Sequence, residues 1–208
     1  MSLKIKICGL RDKENMHAIV DDRIDWYGFI FYRESKRYLG NFGQIAPEIP
    51  TKKRVGVFVN ESVEEIKKMV KHHQLKTIQL HGEEEPSFGK ELKALNLSII
   101  KAFAVDDNFD FSICDEWQGV ADYLLFDTKG NARGGNGQTF NWQLLNLYTT
   151  KIPFLLSGGL TPENIQQALQ IQHPYLSGLD VNSGLEDAPG IKNKLKVEQV
   201  LNYINPRQ

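Results

Sequence analysis

Strand-like and helix-like stretches alternate along this sequence eight times from end to end, and no other feature restricts its fold so strongly. "KIKICGL" (4–10) precedes "KENMHAIVDD", and "DWYGFIF" (25–31) leads into a long loop and a short, Pro-bounded helix expected near 42–48. "RVGVFVN" (54–60) precedes "SVEEIKKMVKHH", where Ser62 and Glu65 have the spacing of a capping box. "TIQLHG" (77–82) is followed by "PSFGKELKAL", and "SIIKAFAV" (98–105) by a weaker helix around 109–119. "YLLFDT" (123–128) runs into a glycine-rich loop and then "NWQLLNLY". "PFLLSGG" (153–159) precedes "TPENIQQALQ", with Thr161 as N-cap and Pro162 at the first helical position. "LSGLDVNS" (176–183) leads through "PGIKN" to the last helix, "KVEQVLNYI".

Repeated parallel β–α units require right-handed crossovers, and eight of them close most simply into a barrel. The expectation is therefore one α/β domain over residues 1–208, a single (β/α)8 TIM barrel. The competing architecture, an open doubly wound sheet of the dinucleotide-binding kind, lacks its G-x-G-x-x-G after the first strand. The formal net charge of −1 and the absence of a basic block disfavour nucleic acid or an anionic membrane as partner. With no export signal, no spanning apolar stretch and only Cys8 and Cys114 as cysteines, a reducing cytoplasm is expected.

A barrel gathers its chemistry at the C-terminal ends of its strands. Alternation turns Lys4, Lys6 and Cys8 to one face of the first strand, and Ile5 and Ile7 to the helices. By the same rule Gln79 and His81 face inward from the fourth strand and Asp127 from the sixth, while Asp180 ends the apolar part of the eighth. Each has a plainer reading: Cys8 as core filler, His81 as a bonded structural residue, Asp127 as a turn cap, Asp180 as partner of a lumen lysine. Their arrival at one rim favours a site. The loops after strands seven and eight offer Gly158, Gly159, Asn182, Ser183 and Gly184, whose N–H groups suit a phosphate. "GNARGGNGQ" (130–138) is no Walker A and is read as a mobile flap beside Asp127. His72 and His73 have no partner at metal-ligand spacing, so no metal site is expected.

"KICGL", "GFIF…ESKRY", "IQLHG", "LLFDTKGNARGGNGQTFNW", "LLSGGLTPENI" and "GLDVNSGLEDAPGIKN" together resemble the phosphoribosylanthranilate isomerases, in order and over essentially the whole chain. The resemblance implies a cofactor-free Amadori rearrangement of N-(5-phosphoribosyl)anthranilate in tryptophan biosynthesis. It implies Cys8 as general base, Asp127 as general acid and Arg37 as partner of the anthranilate carboxylate. Gln79, His81 and Asp180 match polar mouth residues of the family, and the phosphate would lie on Gly159 and Asn182–Gly184. The implied ligand is a small phosphorylated molecule, and the implied assembly a monomer or homodimer. The loop after strand two departs from the family's Pro-x-Ser-Pro-Arg: it reads "RESKR", which makes Arg33 a rival to Arg37. Asn141 stands where Asp is common before the Trp, as a helix cap.

An acid and a base on opposite sides of a sugar suit this chemistry. A thiol near ~8.5 and a carboxyl near ~3.9 must then shift in opposite directions. The Lys6 ammonium is expected to favour the Cys8 thiolate, and burial against the ligand to keep Asp127 protonated. The alternatives are another phosphosugar enzyme on this barrel, such as indole-glycerol-phosphate synthase, or a barrel that binds a phosphorylated ligand without turning it over. The first needs catalytic lysine and glutamate, and the second has no use for two proton-transfer groups.

Overall fold

The computed structural model describes residues 3–40, 43–129 and 139–205. Eight parallel strands close into a barrel in sequence order, each hydrogen-bonded to the next and β8 to β1. The strands are β1 (Lys4–Ile7), β2 (Trp26–Ile30), β3 (Arg54–Phe58), β4 (Thr77–Leu80), β5 (Ser98–Val105), β6 (Tyr123–Thr128), β7 (Phe154–Leu156) and β8 (Leu176–Val181).

Alternation along the strands separates two apolar regions. Ile5, Ile7, Phe29, Ile78, Leu80, Ile99, Leu124, Phe126 and Leu179 face outward into the large core beneath the helices. Val55, Ile100, Ala102, Leu125 and Leu155 fill the lumen, closed below by Trp26 and Tyr123, whose rings meet edge to face at 5.1 Å. The lumen is thus a packed plug, and only its upper rim is open to chemistry.

The helices are α1 (Lys13–Ile19), α2 (Val63–His73), α3 (Pro86–Lys93), α4 (Ile165–Ala168) and α5 (Lys194–Ile204). Ser62 caps α2 by accepting from the Glu65 N–H at 3.3 Å, but the Ser62 N–H donates to Glu61, so the box closes from one side only. Asn141 caps a 3-10 turn (Trp142–Leu147) through the Gln143 N–H, as its position suggested. The weaker helix around 109–119 is likewise 3-10, over Phe111–Trp117.

Two expectations fail, and one element is new. No helix forms over the described residues 43–48, where the chain makes turns instead. Thr161 does not begin α4: its side chain accepts from Glu163 N–H in a turn, and the helix follows Asn164. Between β8 and α5 the chain adds a small antiparallel hairpin, β9 (Glu186–Ala188) and β10 (Ile191–Lys192), that periodicity did not reveal. The segment 130–138, read as a flap, lies outside the described residues. Among those described, no helix is long and apolar enough to cross a membrane.

Lys101 breaks the apolar pattern of the outer face of β5, and its surroundings explain why. Its ammonium donates to Gly82 O at 2.7 Å and Glu84 Oε2 at 2.9 Å, and it stands 5.3 Å from the centre of the Trp117 ring. Glu84 also accepts from the N–H groups of Asn60 and Gly82. This enclosed carboxylate fixes the loop that begins at His81. Lys101→Met leaves that charge buried without its cation, so urea unfolding should show a loss of about 3–5 kcal/mol. Pairing it with Glu84→Gln should return much of the loss, and a single-variant loss under about 1 kcal/mol would contradict the assignment.

Candidate active site

Cys8 continues the barrel ladder one residue past β1, its N–H donating to Val181 O at 3.0 Å. Gly9 then turns the chain at a φ of +77°. The inward face predicted for Cys8 is observed, with the side chain almost fully enclosed. Gly28 lies opposite: a Cβ there would come within 2.6 Å of Cys8 Sγ, so that glycine leaves the thiol its room. One layer down, Lys6 and Asp180 are register partners on β1 and β8. Both point inward and form a buried ion pair at 2.9 Å, and Ser157 Oγ lies 3.4 Å from the other carboxylate oxygen. Asp180 therefore does what its plainer reading said: it pairs with a lumen lysine.

The opposite wall carries Gln79, His81 and Asp127. Gln79 Nε2 lies 2.7 Å from His81 Nδ1, and His81 Nε2 lies 3.4 Å from Asp127 Oδ2. His81 reaches from β4 to β6 across β5 because the intervening residue in register with Asp127 is only Ala104. With Gln79 donating, the imidazole carries its proton on the nitrogen that faces Asp127. Gln79 Oε1 is buried without a hydrogen-bond partner among the described residues. By the shorter way round the ring, β1 and β6 are separated by β7 and β8, so Cys8 and Asp127 line different walls of the mouth.

Lys6 favours the Cys8 thiolate as expected, but the net shift at Cys8 runs the other way. Burial pushes the thiol pKa above its ordinary value; Lys6 pulls it down, Asp180 pushes it up, and Lys192 adds a smaller downward pull. Burial wins because Lys6 is already neutralised by Asp180. Lys6 itself is held above the usual lysine value: burial opposes its charge, but Asp180 and Cys8 more than offset that.

The two arginine candidates part company. Arg33 is exposed, whereas Arg37 folds back over the rim and is gripped by Glu186, Nε to Oε1 at 2.8 Å and Nη2 to Oε2 at 2.6 Å. Glu186 and Lys192, both on the hairpin, were not singled out from sequence. The only signal was a Pro-Gly turn inside "LEDAPGIK".

The phosphate-loop candidates lie together beside β7 and β8. Gly158 and Gly159 take φ values of +86° and +64°. A Cβ on Gly158 would sit 2.3 Å from Thr128 N, and one on Gly184 would sit 2.0 Å from Leu160 O. These two glycines thus let the loops pack on one another. Asn182, Ser183 and Gly184 open a single 3-10 turn (Ser183–Leu185), while the Asn182 side chain accepts from Lys192 at 2.8 Å.

Known proteins of one family match this chain along nearly its whole length. The family model for N-(5'-phosphoribosyl)anthranilate (PRA) isomerase matches residues 5–203. An N-(5'-phosphoribosyl)anthranilate isomerase of Phocaeicola vulgatus is 43% identical over 203 residues, covering 98% of each chain. The crystal structure of phosphoribosyl anthranilate isomerase from Thermotoga maritima superposes with a TM-score of 0.85 at 33% identity, covering 99% of this chain and 100% of that one. Another isomerase structure, in complex with reduced 1-(o-carboxyphenylamino)-1-deoxyribulose 5-phosphate, gives 0.78 at 30% identity, with 99% and 100% covered. By the extent and identity of these matches, this chain belongs to the N-(5'-phosphoribosyl)anthranilate isomerase family.

Proposed function

We propose that this protein isomerises N-(5-phosphoribosyl)anthranilate to 1-(2-carboxyphenylamino)-1-deoxyribulose 5-phosphate, using its own side chains for the proton transfers. One observation carries this reading in a chain of this family: a thiol and a carboxyl group enter one barrel mouth from different walls, at the ends of β1 and β6.

Asp127 gives a proton to the ring oxygen as the C1′–O bond breaks, and the nitrogen lone pair forms the C=N bond. Cys8, as thiolate, takes the proton from C2′, and the electron pair released makes the enolamine. Loss of the O2′ proton and protonation at C1′ then give the ketose, so the net change is an isomerisation. His81, with its Nε2 at 3.4 Å from Asp127, is suited to orient that carboxyl group. Buried Gln79 holds the imidazole from its far side. Asp180 acts through Lys6 and not on the ligand. Arg37 takes the aromatic carboxylate. The backbone of Gly158, Gly159 and Asn182–Gly184 receives the phosphate, since N–H groups at such loop turns favour an anion.

A tryptophan auxotroph lacking this isomerase should grow when it expresses the protein; soluble, folded protein that fails to rescue growth would contradict the reading. Cys8→Ala and Asp127→Asn should each lower kcat by at least about a hundredfold, the usual scale for a lost acid or base, with unchanged circular dichroism. Near-normal turnover by either variant would remove its assigned role. Arg37→Ala should raise KM about tenfold or more and Arg33→Ala less than about twofold, because only a partly enclosed guanidinium gives a strong charge-assisted contact. The reverse ranking would assign the carboxylate to Arg33.

A further inference from the structure

Glu186 is the carboxylate on which two cations converge at the rim. Arg37 reaches it from the loop after β2, through Nε at 2.8 Å and Nη2 at 2.6 Å. Lys192, its register partner across the hairpin, donates to Glu186 Oε1 at 2.7 Å. The Gly190 N–H adds a third donor at 3.0 Å. Lys192 Nζ also bonds Asn182 Oδ1 at 2.8 Å and Asn182 O at 3.0 Å, tying the hairpin to the proposed phosphate loop. Both side chains are nearly closed to water, at 6% exposure for Glu186 and none for Lys192. Burial opposes the Glu186 charge, yet the Arg37 and Lys192 contacts outweigh it and hold its pKa below the usual carboxylate range. The cluster touches the catalytic strand: a Cβ on Gly9 would lie 2.4 Å from Asn182 Oδ1 and 2.6 Å from Arg37 Cδ.

A guanidinium offers separate N–H edges. Here the Nε/Nη2 edge is taken by Glu186, so a substrate carboxylate must use the edge formed by Nη1 and the outer N–H of Nη2. Two cations against one carboxylate also leave the cluster with one net positive charge for an anionic ligand. Without Glu186, Arg37 and Lys192 would repel one another, and the long arginine side chain would lose its fixed direction. We propose that Glu186 is a positioning residue for the isomerisation: it holds Arg37 by one edge and so aims the other at the aromatic carboxylate of the substrate.

This inference rests on the isomerase reading, and wild-type turnover tests that reading separately. The wild type, Glu186→Gln, Arg37→Ala and the double variant are compared in steady-state assays with N-(5-phosphoribosyl)anthranilate. Inhibition by two probes is measured alongside: reduced 1-(o-carboxyphenylamino)-1-deoxyribulose 5-phosphate, which carries the carboxylate, and ribose 5-phosphate, which does not. Glu186→Gln should raise KM about tenfold and change kcat less than about threefold, as loss of one directed charge contact predicts. The inhibition constant of the carboxylate probe should rise with KM while that of ribose 5-phosphate stays constant. In the Arg37→Ala background Glu186→Gln should add no further rise, because its action passes through the arginine. An unchanged KM in Glu186→Gln, an equal rise without Arg37, or equal weakening of both probes would overturn the proposal. Should Glu186→Gln not fold, Glu186→Asp, which keeps the charge on a shorter arm, carries the same comparison. A folded wild type without turnover would instead refute the isomerase reading.

Discussion

Lys6 and Asp180 meet in the barrel lumen because β1 and β8 run in register with both side chains turned inward, and the character of the mouth follows from that contact. Withdrawing an ammonium and a carboxylate from water costs several kcal/mol per ion, and close pairing is what offsets it. Neither ion can be removed alone without leaving the other buried and uncompensated. For the same reason Lys6 is not a free cation for Cys8. Its field favours the thiolate, the Asp180 field opposes it, and burial decides in favour of the thiol. Lys192, the other ammonium that favours the thiolate, is also committed, to Glu186 and Asn182. Burial therefore favours the protonated thiol, and the proposed base acts through its ionised fraction.

Around that lumen pair, two enclosed carboxylates fasten the loops that carry the mouth. Glu84 collects donors from Asn60, Gly82 and Lys101, so the loops after β3 and β4 are tied to the middle of β5 behind His81. Glu186 collects Arg37, Gly190 and Lys192, and joins the loop after β2 to the one after β8. Loops on a barrel rim are the natural home of changeable function, but a proton transfer needs fixed geometry. Both anchors supply it by giving one buried carboxylate several donors from separate loops.

Period-two alternation made the barrel legible, since it sorted Ile5 and Ile7 outward and Lys6 and Cys8 inward before any coordinates. The same rule found Gln79, His81 and Asp127 on the inward face. It could not say that Ala104 would let His81 reach Asp127, because alternation fixes which face a residue takes but not the register between neighbouring strands. The hairpin escaped notice because strands of three and two residues are too short to show a period. Lys101 was not singled out from sequence, and only the fold reveals the carboxylate behind it. The expected net lowering of the Cys8 pKa failed for a related reason: the sequence offered Asp180 as partner of a lumen lysine, but not that this lysine is Lys6 beneath Cys8 nor how far burial outweighs it.

Proton transfer by Cys8 depends on its protonation state, which alkylation can read directly. In a Cys114→Ala background, the rate of Cys8 modification by iodoacetamide is followed against pH by mass spectrometry, without ligand. Burial beside a neutralised lysine predicts a midpoint above the ordinary thiol value of about 8.5. A midpoint at or below that value would mean that the lumen favours a standing thiolate, and that the Lys6–Asp180 pair does not act as described here.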